Sequence, residues 1–480
     1  MKKMNQKIGI GVLWNLANLF FSRGATTLFI LLLAKFLAPE AFGLVAMATV
    51  VFELANAFVQ SGLGQALIRS KSVSEKDLST VFFTNLGLSF IAYSILFFSA
   101  PYVASFYKQP ELTTLVQVMG LVVFINATKV VQLAVLNRAM NFKAQMKANT
   151  TASIASGVLA IVSAYYGLGV WSLVIMMLSQ SLIASALFWF ASSWRPSLIF
   201  SFESFQRLFG FGKNLLAEGM FEVAFQNSYV LVIGRFFSAE VTGLYFFAKK
   251  ISNLISQQLS GAVQQATFPA LSTLQDDNEK LRYKYRQIMQ LMMFLIAPVM
   301  ALLGGLAEPL FGLLFSDKWQ EAVPYVQLLC IVGILYPMHA LNINLLNVKG
   351  RSDLVFKLGL IKKAVNLTLL FLAIPYGVLA IAASQVIGSI LALVPNTYFS
   401  SKLIGYSLAF QLSDAGKPIL SGLLASIFTA LLLQVTSFTV LIDFVIGFCS
   451  ILTAFLIITF VLKAEAIIFL STKFKAFRSN

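Results

Sequence analysis

The chain has 480 residues, 58% of them hydrophobic and 11% charged, with a mean hydropathy of +0.83 and a net charge of +16. No soluble globular domain hides that much apolar surface, so most of the chain must be solvated by lipid. Segments of about ten residues with alternating polarity, the mark of a transmembrane β-barrel, are absent.

The N-terminal stretch "MKKMNQKIG" is basic, and the apolar run behind it reaches Leu33 without a clear small-residue cleavage site. It is therefore expected to be a first membrane helix and not a removed signal peptide. Continuing along the chain, hydropathy predicts about fourteen spans, because about 20 apolar residues cross a bilayer. They fall near 12–34, 41–63, 79–100, 112–136, 148–167, 170–191 and 213–234, then 243–266, 287–314, 322–346, 355–375, 377–398, 416–435 and 441–462. Pro298 and Pro337 lie within two of them and are expected to kink them. The expected fold class is an all-α, multi-pass membrane protein.

Basic residues sit on alternate connections: Lys2, Lys3 and Lys7, then Arg69, Lys71 and Lys76, Arg138, Lys143 and Lys147, Arg195 and Arg207, continuing to Lys463, Lys473, Lys475 and Arg478. The opposite connections carry only Lys35, Lys108, Arg235 and Lys318. The positive-inside rule then places both termini in the cytoplasm. The positive charge reflects this topology and contact with anionic lipid heads, so it calls for no nucleic-acid partner.

One segment occurs twice. "KFLAPEAFGL" (35–44) joins spans one and two, and "RFFSAEVTGL" (235–244) joins spans seven and eight, matching at Phe36/Phe236, Glu40/Glu240, Gly43/Gly243 and Leu44/Leu244. "SGLGQA" (61–66) echoes "SGAVQQA" (260–266), and Leu136-Asn137 recurs as Leu346-Asn347. Six spans separate the copies, so the halves share one orientation. Two parallel six-helix lobes are predicted, 1–200 and 201–400, with an extra helix pair and basic tail over 401–480, an arrangement suited to alternating access. Glu40, Glu240 and the two glycines read as loop and helix-start residues, with Glu favoured in a first turn.

Ionisable groups inside membrane helices face protein or water, so each is a candidate site. In span one Asn15, Asn18, Ser22 and Thr26 form a stripe with Arg23 beside it, and Glu218, Glu222 and Gln226 occupy matching places in span seven. Span two carries Glu53, Asn56 and Gln60, and span eight carries Lys250, Asn253, Gln257 and Gln264. These four helices are expected to wall a polar cleft. Further cations lie at Lys129, Lys362 and Lys363. Arg and Lys together suit a phosphate-bearing anion, and the amides suit sugar hydroxyls.

Plainer readings stand beside these. Arg23 pairs with Glu53 or Glu222 in one of them, and the carboxylates serve either structural ion pairing or coupling to protons or sodium. Lys249 and Lys250 snorkel. Lys362 and Lys363, about 100° apart, cannot both face one cleft. Stripes of Asn and Ser often join helices, and His339 beside Pro337 reads as structural. There is no G-x-x-x-x-G-K-[ST] loop and no metal-ligand spacing, and Cys330 and Cys449 lie in apolar segments. No enzyme activity, cofactor or metal is expected.

The stretch "LAKFLAPEAFGLVAMATVVFELANAFVQSGLGQALI" (33–68), with "VLNRAMNFK" (135–143) and "RFFSAEVTGLY", resembles bacterial polysaccharide exporters of the Wzx type. Within the multidrug/oligosaccharidyl-lipid/polysaccharide (MOP) superfamily the similarity is to the colanic-acid and teichuronic-acid exporter branch, and it implies a MATE-like fold. It also implies a flippase of the bacterial inner membrane that carries undecaprenyl-pyrophosphate-linked oligosaccharide to the outer leaflet without ATP, alongside polysaccharide polymerase and export machinery. The expected substrate-binding residues are Arg23, Asn15, Asn18, Lys129, Glu53, Glu218, Glu222, Lys250, Asn253 and Lys362. Two other classes stay open: a drug or cation antiporter of the same superfamily, and a non-transporting scaffold of the assembly machinery.

Overall fold

The computed structural model describes Trp14 and residues 18–60, 62–436 and 439–462. Asn15, the N-terminal lysines and the basic C-terminal tail lie outside the described residues. The chain forms two compact units, 1–243 and 244–480.

The first unit begins with a π-helical turn, Leu19–Arg23, running into α1 (Gly24–Phe36). Then come α2 (Pro39–Gln60), α3 (Leu63–Arg69), α4 (Glu75–Tyr107), α5 (Leu112–Ala127), α6 (Val130–Arg138), α7 (Phe142–Tyr165), α8 (Trp171–Ala191) and α9 (Phe202–Phe236). Helix α10 (Ala239–Ser272) starts in this unit and continues into the second.

The starts of these helices follow from local chemistry. Pro39 opens α2 where its missing N–H costs nothing, and Glu40 sits in the first turn. Helix α4 opens with a reciprocal cap: Asp77 N–H donates to Ser74 Oγ at 3.2 Å, and Ser74 N–H donates to Asp77 Oδ2 at 3.0 Å. Gly62, at φ +67°, breaks the chain between α2 and α3, a left-handed conformation that glycine adopts without strain.

Small residues on α7, among them Ala148, Ala152, Ser156 and Ala160, are buried, and Ala148 and Ala152 cluster with Ala184 and Phe188 of α8. Close backbone approach of this kind is how membrane helices gain dispersion contact. A second cluster joins α3, α4 and α6 through Leu67, Phe82, Val131 and Trp194. Arg138 locks it: its Nη1 donates to the carbonyls of Leu67 at 2.8 Å and Ser70 at 2.6 Å, capping the end of α3.

The second unit holds most of α10, then α11 (Asn278–Gly305), α12 (Ala307–Leu314), α13 (Val323–Val348), α14 (Ser352–Ala373), α15 (Val378–Ile404), α16 (Leu408–Thr436) and α17 (Val440–Val461). The final pair packs on α11 through Ala297, Ala301, Ala425, Ile451 and Phe455. Buried Asp414 of α16 accepts from Arg286 Nε at 2.8 Å and Nη2 at 2.7 Å, from Gln290 at 2.8 Å and from Tyr406 at 2.7 Å. Lys349, at the end of α13, donates to Asn278 Oδ1 at 2.6 Å and to the Gln275 carbonyl. It repeats in this unit the carbonyl tether that Arg138 makes in the first.

Among the described residues, ten helical segments are long and apolar enough to cross a membrane. The π-turn with α1 is a further, shorter apolar segment, and α7, α9 and α10 are further long helices that are more polar. Together they are compatible with the predicted fourteen. Pro298 and Pro337 sit inside continuous helices. One span is interrupted at Thr128 and Lys129, between α5 and α6, as another is at Gly62.

The glycines of the duplicated segment do more than start helices. A methyl group added at Gly43 would overlap the carbonyl of Ala239, and one added at Gly243 would overlap the carbonyl of Pro39. The two copies cross at their own glycines, backbone against backbone.

Candidate polar path in the membrane helices

In the first unit, the stripe on the π-turn and α1 faces α7 and α8. Asn149 Nδ2 donates to Asn18 Oδ1 at 3.3 Å, and Ser22 and Thr26 reach Ser153 at 3.3 and 3.0 Å. Gln180 of α8 closes the seam, donating to Thr26 at 3.2 Å and Ser153 at 3.1 Å. Satisfying these groups within the bundle avoids leaving polar atoms in hydrocarbon. Arg23, the next residue around the π-turn from Ser22, is left out of the seam and is exposed. Among the described residues it has no ion-pair partner, Glu53 and Glu222 included.

The matching stripe on α9 has a different environment. Glu218 and Gln226 are exposed and Glu222 is half-buried, with Gln226 Nε2 donating to Glu222 Oε1 at 2.9 Å. One residue on, Asn227 donates to Glu53 Oε2 of α2 at 2.6 Å, joining two helices at a carboxylate. Lys129 is half-buried at the start of α6, where the span is broken. Around this break, Thr128 bonds Ser185 at 2.7 Å, Ser181 donates to Asn126 at 2.5 Å, and Trp189 donates to the Thr128 carbonyl at 2.9 Å. The freed backbone is thus held by α8.

In the second unit, Lys250 lies 5.5 Å from the Phe246 ring, and Asn253 one turn on is half-buried. Lys362 and Lys363 are both half-buried on α14. Asn366 fills the notch left by Gly388 of α15, where a methyl group would overlap its Oδ1. His339 is pinned by the same helix. Asn396 Nδ2 donates to its Nδ1 at 2.8 Å, which leaves Nε2–H to donate to Ser389 Oγ at 3.0 Å. Both ring nitrogens are hydrogen-bonded to α15.

An apolar groove of about 800 Å³ runs between α16 and α17, lined by Leu424, Phe428, Cys449, Thr453 and Ile457 among others. The groups that sequence reasoning passed over are Asn149, Ser153, Gln180 and Asn227. A signal for one was present: Ser179-Gln180 recurs as Ser384-Gln385, and Gln385 bonds Tyr245 within its own unit.

Comparison with known proteins places these features in a family. Residues 32–324 match the family model described as polysaccharide biosynthesis protein. The lipopolysaccharide biosynthesis protein WzxC of Escherichia coli is 26% identical over 374 residues, 77% of this chain and 75% of that protein. The succinoglycan biosynthesis transport protein ExoT of Rhizobium meliloti is 28% identical, covering 82% of this chain and 78% of that one. The teichuronic acid biosynthesis protein TuaB of Bacillus subtilis is 27% identical over 63% of each chain. In fold, the chain superposes on the lipid II flippase MurJ with a TM-score of 0.74 at 16% identity, over 95% of this chain and all of that one. An inward-facing MATE-family multidrug transporter of the MOP superfamily gives 0.62 at 15% identity, over 82% of this chain and 94% of that one. With more than half of its residues matched by the family model, the chain belongs to the polysaccharide biosynthesis protein family, on a MurJ- and MATE-like membrane fold.

Proposed function

We propose that this protein is a flippase that carries a lipid-linked oligosaccharide from the cytoplasmic to the outer leaflet of a bacterial inner membrane for surface or exopolysaccharide synthesis. The relatives are named for the biosynthesis or transport of such polymers, and the fold is that of a lipid flippase. The role is transport, with no chemical step.

The observation that carries the reading is the exposure of Arg23 and Glu218, each within a helix that hydropathy predicts to cross the membrane. A charge there is tolerated where water or a polar substrate reaches it, and costs several kcal/mol against hydrocarbon. Arg23 has donors in a fork that fits a pyrophosphate. Asn15, Asn18, Lys129, Lys250, Asn253 and Lys362 would supply further contacts to phosphate or sugar. Glu53, Glu218 and Glu222 would take part in sugar contact or in coupling to protons or sodium. The apolar groove of α16 and α17 suits the isoprenoid chain, which stays in lipid while the head group crosses. Both termini would be cytoplasmic, and a polymerase would take the product at the far leaflet.

Reconstitution in liposomes with a short pyrophosphate-linked glycolipid tests the reading. Leaflet exchange that Arg23→Ala abolishes at unchanged protein level supports it. Uptake of cationic dyes without glycolipid exchange would instead favour an antiporter.

A further inference from the structure

The segment joining α8 to α9 does not loop free of the protein. Ser197 is stapled to the start of α4, with Ser79 Oγ and Ser197 Oγ 2.9 Å apart and Ser197 N–H donating to Ser79 at 3.2 Å. Ser201 N–H donates to Thr80 Oγ1 at 3.0 Å, and Arg207 of α9 pairs with the capping carboxylate of Asp77. Trp194 is buried in the α3–α4–α6 cluster, and Arg195 lies 5.6 Å from the Trp189 ring. A connection held at both ends in this way has a fixed outer face.

That face is apolar. Leu198 is 95% exposed, and Ile199, Phe200 and Phe202 are exposed beside it. Phe205 stacks between Phe202 and Phe209, extending the surface onto the first turns of α9. Four neighbouring exposed apolar side chains on a short polar-stapled turn are costly in water. The segment leaves one membrane-length helix and starts the next, so it sits at the depth where a bilayer ends. Arg195 and Arg207 flank it, as cations flank interfacial anchors.

We infer that Leu198, Ile199, Phe200 and Phe202 form an interfacial anchor that inserts into the leaflet on the side of the basic connections. It holds the α8–α9 connection, and through the serine staples the start of α4, at a fixed height against the lipid heads. The partner is the bilayer itself, recognised by apolar insertion beneath headgroups that the two arginines meet.

Site-directed spin labelling of the full chain in liposomes containing anionic phospholipid tests this. Cys449 is replaced by Ser, Cys330 stays buried, and Leu198→Cys, Ile199→Cys and Phe200→Cys are labelled one at a time. Ile427→Cys, on the exposed face of membrane helix α16, and Asp276→Cys, in an exposed polar turn, are the references. The anchor predicts that oxygen, which concentrates in lipid, relaxes the labels at 198–200 more than a water-soluble nickel chelate does, as at 427. Chelate-dominated relaxation, as at 276, overturns it. Labels shielded from both reagents also overturn it, because they would mean that a second copy of the chain covers this face. Three positions are used so that one misfolded variant does not decide the result.

Discussion

Removing the carboxylate of Asp414 should unseat the last two helices from α11. The Asp414 side chain is 1% exposed and that of Arg286 34%. Three neighbouring side chains donate to this carboxylate, Arg286 through a two-pronged contact. In Asp414→Ala, the buried Tyr406 hydroxyl, the Gln290 amide and the Arg286 guanidinium each lose the contact they make with this carboxylate. Breaking a buried pair by deleting one partner costs about 3–5 kcal/mol. The partial exposure of Arg286 lets water recover some of that, so the lower end, about 3 kcal/mol, is expected. Asp414→Asn keeps the shape and one acceptor oxygen and should cost about 1–2 kcal/mol. The double change Arg286→Met with Asp414→Leu removes both charges and should recover most of the single-variant loss. Denaturation in mixed micelles, followed by exposure of buried Cys330 to a thiol dye in a Cys449→Ser background, reads all three. An Asp414→Ala midpoint equal to that of the parent, or a double variant worse than the single one, would refute the reasoning.

The other predictions concern the first unit. Gly43→Ala and Gly243→Ala each place a methyl group against a backbone carbonyl that cannot rotate away, so both should lower the yield of folded protein, with Gly43→Leu worse than Gly43→Ala; equal yields of monodisperse protein would contradict this. Arg138→Ala should cost about 1.5–3 kcal/mol by freeing the carbonyls at the end of α3. Hydrogen exchange should accelerate locally over residues 67–71, and unchanged exchange there would count against the cap. Asn149→Ala and Ser153→Ala should lower stability by about 1 kcal/mol each, by leaving seam partners unpaired. Arg23→Ala should leave stability unchanged, so thermal unfolding of these three separates seam from path.

Much of this architecture is legible in the sequence, because lipid demands long apolar helices and the duplication repeats recognisable words. The beginnings of α2 and α10 are readable from Glu40 and Glu240, whereas the cap of Ser74 and Asp77 that opens α4 ahead of the predicted span is seen only in the structure. Other features depend on which side a neighbour lies. The aligned stripes of span one and α9 look alike on paper, yet the first is spent on Asn149, Ser153 and Gln180 while the second keeps Glu218 and Gln226 exposed. The echo of "SGLGQA" in "SGAVQQA" hides a difference too: Gly62 breaks the chain, whereas Gly261 lies within continuous α10. The break at Thr128 and Lys129 has no proline or glycine to announce it and is stabilised by Ser181, Ser185 and Trp189 from another helix. The meeting of Gly43 with Gly243 could not be read from either copy alone, since each glycine makes room for the other copy's backbone.

The central claim is that exposed intramembrane charge serves the passage of an anionic, lipid-linked sugar. Its most direct test is leaflet exchange of a short pyrophosphate-linked glycolipid in liposomes containing the parent protein, Arg23→Ala or Arg23→Lys. The account predicts exchange by the parent, near-complete loss in Arg23→Ala, and partial retention in Arg23→Lys, which keeps the charge and loses the fork. Exchange in Arg23→Ala at the parent rate, with equal protein incorporated, would contradict it.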